Sequence, residues 1–394
     1  MRSRILIIIS VILLVLILAG VGLYLLFSNG DVTTPAENEG NGQVGLTEYG
    51  TQALAALEDP KQLPPLTKLN DLPSNYLSYD NKEKQLIYYN NSAEQIFASN
   101  LLGYGQSARS DELSNLTDMV WSADRNKGLL FFQASEGSPF RAYIFDNETL
   151  ETKEIKGYYS SLTWANDSRY LIGYRIGAAD DAATGIVKIN RETLAEDVLY
   201  ESDLEGVQVL SYGEDILYYL KTESLRRSSL YLFDTSAKKS TELISGYYNF
   251  EPLLSPNENK LIFTGNTDAN DKPTLQYKDL SNASSKVFSL NVETFASKCA
   301  WNSASTAIYC AVPTSLPISQ TLYQDYLDAK LNNLDAIWRI SSESFDVEQI
   351  IPAQKMYEID ARYMVVGKDD ATLYFINRRD AYHIWAVNLH LLEV

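Results

Sequence analysis

Cys299 and Cys310 are the two thiols of this 394-residue chain. They lie on either side of a polar turn, residues 302–306, between two runs of strand-forming residues. A hairpin centred between Ala304 and Ser305 puts them directly opposite each other. Facing Cα atoms in an antiparallel pair lie about 4.5–5.5 Å apart, within reach of a disulfide. The spacing predicts a cross-strand disulfide, with two buried thiols as the alternative. Redox catalysis is not expected, because there is no Cys-X-X-Cys. Histidine occurs twice, at His383 and His390, and no His-Glu-X-X-His is present to build a zinc hydrolase. Gly-X-Ser-X-Gly, the P-loop and Gly-X-Gly-X-X-Gly are also missing. The sequence therefore assigns no catalytic, cofactor-binding or metal-ligating residue, and both histidines read as structural or surface groups. Two acidic loops remain. Residues 177–185 carry Asp180 and Asp181, and residues 266–272 carry Asp268 and Asp271. Oxygen-rich loops can hold Ca²⁺, but neither has the glycine and distal glutamate of an EF-hand loop, so both read as solvated turns.

These loops and the cysteine hairpin belong to a repeat. An apolar anchor is followed by a polar turn of about five residues and then a run of strand formers. Trp164-Ala-Asn-Asp-Ser-Arg-Tyr-Leu-Ile-Gly-Tyr174 is the clearest copy. The anchors fall at Leu77, Trp121, Trp164, Leu210, Leu254 and Trp301, spaced 44, 43, 46, 44 and 47 residues apart. A looser copy spans 363–376. Each unit has room for four strands; in the second they read as 118–122, 129–133, 141–146 and 151–156. A period in the mid-forties with four strands per unit predicts a β-propeller. The expected fold is all-β, with seven four-stranded blades; a six-bladed ring with the last unit as an appendage is the alternative. The anchors Trp121, Trp164, Leu254 and Trp301 are expected to fill the wedge between neighbouring blades. The last unit ends near residue 388 without a fourth strand, which the stretch 66–72 is expected to supply.

Leu254-Ser-Pro-Asn and Trp121-Ser-Ala-Asp, each leading into a strand such as Leu261-Ile-Phe, resemble the TolB-like, WD-related propeller repeat. Similar repeats form the N-terminal propeller of dipeptidyl-peptidase-like enzymes. The resemblance covers about residues 75–390 and implies a propeller; it does not imply one activity. The Asp-Gly that usually follows Ser-Pro in that family is absent throughout. No length remains after the repeats for a hydrolase domain, so the chain resembles a peptidase propeller without its peptidase.

One piece does not fit the repeat. Residues 313–335 interrupt the sixth unit between its second and third strands. Thr321-Leu-Tyr-Gln324 fits a capping box, and Tyr323, Leu327, Leu331 and Leu334 form an apolar stripe, so a helix is expected. Tyr323, Tyr326, Leu327 and Leu331 are the candidate partner-binding residues, because insertions into repeats often carry the binding surface. Packing of the same stripe on its own propeller is the competing reading.

The first residues set the compartment. Residues 5–27 are almost unbroken apolar sequence, long enough to span about 34 Å as a helix. Arg2 and Arg4 precede them, and the next basic residue is Lys61. The positive-inside rule then leaves the N-terminus in the cytoplasm and the propeller outside it, anchored in the bilayer. A cleaved signal peptide delivers the same topology, but its apolar region would be shorter. Residues 28–60 read as a flexible linker with a short helix, and 61–394 as the propeller. The formal net charge of −18 argues against nucleic acid as a partner. The expected role is a non-enzymatic scaffold for a protein or cell-wall partner. The alternative is a glycan-binding or carboxylate-based enzyme using the central funnel.

Overall fold

A computed structural model describes residues 59–133, 140–177, 183–220, 227–268, 272–282, 284–317, 321–331, 333–354 and 357–392. The expected membrane segment 5–27 and the loop residues Asp180, Asp181 and Asp271 lie outside them. Among the described residues no helix is long and apolar enough to cross a membrane. Contacts divide the chain into Met1–Gly45 and Leu46–Val394, and every described residue belongs to the second unit.

That unit is a succession of antiparallel meanders. Among the described residues five sheets have four strands each and one has seven. Within four of the four-stranded sheets consecutive strands pair, as in Leu116–Trp121, Lys127–Phe132, Arg141–Asp146 and Thr152–Ile155. The seven-stranded sheet arises because one strand, Lys239–Leu254, serves two meanders. Its first half pairs with Ser228–Asp234 and its second half with Lys260–Asn266. Bulges on both sides, with Gly246 at φ +82° and Asn249 at φ +53°, redirect the chain without a loop.

The last sheet is completed by the other end of the chain, as expected from its missing strand. Leu66–Lys68 runs antiparallel to His383–Asn388, with Leu66 opposite Val387 and Lys68 opposite Trp385. Asn388 donates from Nδ2 to the Leu63 carbonyl at 2.6 Å, and Asn70 Oδ1 accepts from the Ile384 amide at 2.8 Å. The first strand of this sheet, Ala361–Val366, packs against Ser74–Asp80 of the first sheet. Tyr76 and Tyr363 meet there edge to face at 5.2 Å.

The core lies between sheets rather than within one. Trp121 packs with Ile87 and Ile96 of the preceding sheet and Phe145 of its own. Trp164 lies with Leu129 and Ile144 of the preceding sheet, and its indole N–H donates to the Val120 carbonyl at 2.9 Å. Trp301 joins Ile262 and Tyr277, donating to the Leu253 carbonyl at 3.4 Å. All three rings are buried, so they are inter-sheet wedges with no face left for a sugar. Leu254 is half-buried against the cluster of Leu217 and Leu261.

The polar turns after the anchors share one backbone device. Lys84, Arg125, Ser168, Glu258, Ser305 and Asp370 occupy equivalent places, all with φ between 50° and 61°. This is the place where the resembled family uses glycine. Here L-residues hold the left-handed conformation, at a cost of order 1 kcal/mol each. Neighbouring turns compensate by bonding to each other: the Asp124 amide donates to Ser168 Oγ, Asn166 to Ser211 Oγ and Asn257 to Ser305 Oγ, at 3.1–3.3 Å.

Candidate functional site

The second-to-third-strand connections gather at the end of the sheets opposite these turns, and there the sixth and seventh units depart from the repeat. Lys298 ends a 3₁₀ turn, Ala296–Lys298, just before the strand Cys299–Trp301. Asp335 opens the third strand, Asp335–Ser341, at the far end of the insertion. Asp360 precedes Ala361–Val366, and Arg378 follows Thr372–Asn377. The topology brings four charges from four segments together in the interior.

Lys298 Nζ lies 2.7 Å from Asp335 Oδ2 and 2.8 Å from Asp360 Oδ1, and none of the three side chains is more than 1% exposed. Arg378 donates from Nε to Asp360 Oδ2 at 2.8 Å and from Nη2 to the same oxygen. The Ala361 amide donates to Asp335 Oδ2 at 2.8 Å, and Asn377 Oδ1 accepts from the Asp360 amide at 3.0 Å. Two cations thus balance two carboxylates.

The two partners of the Lys298–Asp335 bond respond differently to burial. Burial alone would lower the Lys298 ammonium, but Asp335 and Asp360 together outweigh it and hold its pKa above the usual lysine value. Burial pushes the Asp335 carboxyl up to about 6, because it shares its single cation with Asp360, whose charge adds to the penalty. Lys298 is therefore locked as a cation and unsuited to act as base or nucleophile. Asp335 can exchange a proton near neutrality, but it is sealed from solvent.

The insertion sits on this array. It forms one short helix, α1 (Leu322–Leu327), rather than the longer helix the stripe predicts. The expected capping box is not made: Thr321 donates its hydroxyl to Asp325 instead, at 2.8 Å. The buried face runs through Leu322 and Tyr326, which pack with Phe295 and Leu316. Tyr326 stacks on Phe295 at 4.1 Å and 7°, lies under the Arg362 guanidinium at 4.7 Å, and shares a 3.1 Å hydrogen bond with Ser297. Arg362 also donates to the Tyr326 carbonyl, and Arg378 to the Leu331 carbonyl. Tyr326 is therefore a packing residue, buried where the sequence reading offers it to a partner. Leu331 is half-buried on the same cluster, and the side chains of Tyr323 and Leu327 lie outside the described ones. Gln324, Asp328, Ala329 and Lys330 are left exposed.

Beside α1 a polar cleft of about 500 Å³ opens between residues 329–331 and 378–382. A second cleft, about 560 Å³, is lined by Tyr247, Lys272 and Glu293 in the fifth unit. Among the described residues no three His, Cys, Asp or Glu side chains converge in a metal-holding group. Cys299 and Cys310 are register partners, with Cα atoms 4.1 Å apart and their sulfurs joined. The bond ties the strand that follows Lys298 to its neighbour. His383 sits 3.1 Å from Asp380, which also accepts from Trp385 at 2.9 Å and lies 3.3 Å from Lys68; it belongs to the closure of the last sheet. His390 is exposed.

The charged array itself was missed from the sequence. Lys298, Asp335, Asp360 and Arg378 fall at unit boundaries, where the periodicity is silent. The available signal was positional: a lysine immediately before a first strand and an aspartate closing an insertion.

No family model matches the chain, and no curated protein matches it. Solved structures do. An oligogalacturonate lyase from Vibrio parahaemolyticus is 11% identical, with 82% of this chain and 93% of that one covered at a TM-score of 0.58. The β-propeller domain of the Trilobed protease from Pyrococcus furiosus is 15% identical, with 76% and 90% covered at 0.51. Prolyl oligopeptidase B from Galerina marginata is 9% identical, with 79% and 48% covered at 0.57. Lyases and peptidases thus stand among the proteins this chain is similar to. At these identities the likeness speaks for architecture alone: the described unit has the β-propeller fold.

Proposed function

We propose that this chain is a seven-bladed, TolB-like propeller, anchored through residues 5–27 in the cytoplasmic membrane and facing away from the cytoplasm. Its task is non-enzymatic: a rigid platform for a protein or cell-wall partner. The blade count takes the seven-stranded sheet as two blades that share Lys239–Leu254. The observation that carries the functional reading is the insertion at 313–335. The largest departure from the repeat is fastened to its face by a charge-balanced array whose lysine is locked as a cation, which suits presentation of a surface better than turnover. Replacing residues 315–331 by a short Gly-Ser link should abolish crosslinking of the partner to the full-length chain in its own membrane, while the thermal transition persists. Undiminished crosslinking would refute the platform reading. Protease protection of the propeller in spheroplasts would refute the topology.

A second reading, glycan binding or carboxylate-based catalysis in the central funnel, draws on the likeness to an oligogalacturonate lyase over 93% of that chain. Turnover of oligogalacturonate by the purified chain would establish it, and its absence would leave the platform.

A further inference from the structure

The polar cleft beside α1 has a charge inventory at odds with the rest of the molecule. In a chain of net charge −18, three cations line it: Lys330, Arg378 and Arg379. Two carboxylates, Glu358 and Asp360, line it as well, and Asp328 lies against Lys330, so its cations and carboxylates balance. Arg379 pairs with Glu358 across the mouth, and Lys330 lies 2.7 Å from Asp328. Deeper in, the Arg378 side chain is 6% exposed and engages Asp360 and the Leu331 carbonyl, yet its Nη1 is buried without a partner. An unmet guanidinium donor is costly, and an oxygen acceptor entering the back of the cleft would satisfy it.

We propose that this cleft binds the carboxylate of an acidic saccharide, the group reaching Arg378 and Arg379 while ring hydroxyls bond to Glu358 and Lys330. Three features select that chemistry. With its ion pairs balanced, the cleft has the Arg378 Nη1 donor to offer a single added negative charge, whereas a phosphate dianion would meet repulsion from Glu358 and Asp360. The walls are polar almost throughout and offer acceptors as well as donors, which hydroxyls need and a peptide's apolar side chains do not. The volume suits one or two sugar rings, and Tyr382 supplies a ring for one of them to lie against. The assignment rests on the reading of the insertion-bearing face as the binding face and names the chemistry of its partner.

The test is calorimetric titration of the full-length chain, in detergent, with galacturonate, galactose, N-acetylaspartate and inorganic phosphate, followed by a short oligogalacturonate. Galacturonate should bind saturably, and the other three monomeric probes at least about tenfold more weakly, since each lacks the carboxylate, the hydroxyls or the single charge. Tighter binding of the oligomer would mark a polysaccharide terminus as the source; equal binding would mark the free sugar acid. Arg379→Gln and Lys330→Gln, both at the mouth, should each weaken galacturonate by about tenfold with an unchanged melting temperature. Lys84→Gln, on the opposite face, should leave it unaltered. Equal binding of galactose and galacturonate, no binding of galacturonate, or indifference to Arg379→Gln would overturn the site. N-acetylaspartate or phosphate binding as well as galacturonate would overturn the saccharide assignment. Loss of partner crosslinking on removing the insertion, without galacturonate binding, would leave the platform standing and this site refuted.

Discussion

The two ends of the propeller sheets hold themselves together by different physics. At one end the turns after each anchor repeat a neutral device: an amide of one turn donates to a serine hydroxyl of the next, at Asp124–Ser168, Asn166–Ser211 and Asn257–Ser305. At the other end a single array of four buried charges, centred on Lys298, fixes an insertion that occurs once. The neutral bonds are each worth about 1 kcal/mol and are independent of one another. The buried charges depend on each other, because removing one leaves its partners unpaired in a low dielectric. The repeat is thus maintained by many small, separable terms, and the departure from it by one large, indivisible one.

Lys298→Met is the strongest way to test this contrast. It strands the buried Asp335 and leaves buried Asp360 with Arg378 alone. The expected loss is about 3–5 kcal/mol in urea unfolding. Adding Asp335→Asn should restore much of it, because the stranded carboxylate is then gone while Asp360 keeps Arg378. A loss near 1 kcal/mol for Lys298→Met alone would erase the distinction between the two ends.

The pH dependence should expose the same array. The folded-state pKa of Asp335 is raised from 3.8 to about 6, so the folded form binds a proton more tightly than the unfolded one. The contribution of this group to stability is then fully present below its unfolded value and lost as pH rises through about 6. A shift of about two units corresponds to about 3 kcal/mol. Stability should fall between about pH 4 and about pH 6.5, and Asp335→Asn should flatten that slope. Asp124, Asp146, Asp167 and Asp380 act elsewhere: despite partial burial, hydrogen bonds and cations hold their pKa values below 3.8, so their contributions are lost only in stronger acid. A flat profile in the wild-type chain would show that Asp335 is not sealed in as described.

What was legible in the sequence follows the same division. Spacing of the anchors exposed the meanders, the wedges at Trp121, Trp164 and Trp301, and the register of Cys299 with Cys310, because periodic burial writes itself into periodic sequence. The closing strand was legible as an absence, since the last unit lacked a fourth strand. The merging of two meanders through Lys239–Leu254 was not, because it depends on bulges rather than on composition. The insertion was recognised, but Tyr326, offered to a partner, is buried in its own cluster. Tyr326 faces inward with Leu322, stacked on Phe295 and under Arg362. The charged array had no period to reveal it.

The smallest effects sharpen the comparison most. Ser168 and Ser305 are both buried, and each accepts one amide from the preceding turn. Ser168→Ala and Ser305→Ala should each cost about 1 kcal/mol. They lie in turns three repeats apart with no shared partner, so the double variant should cost their sum within about 0.5 kcal/mol. The same cycle run on Lys298→Met and Asp335→Asn should miss additivity by more than that, since the second change removes a charge that the first had stranded. If the serine pair couples as strongly as the charged pair, the turns form one cooperative ring rather than a series of separate clasps. The tolerance of the repeat to sequence divergence would then need another cause.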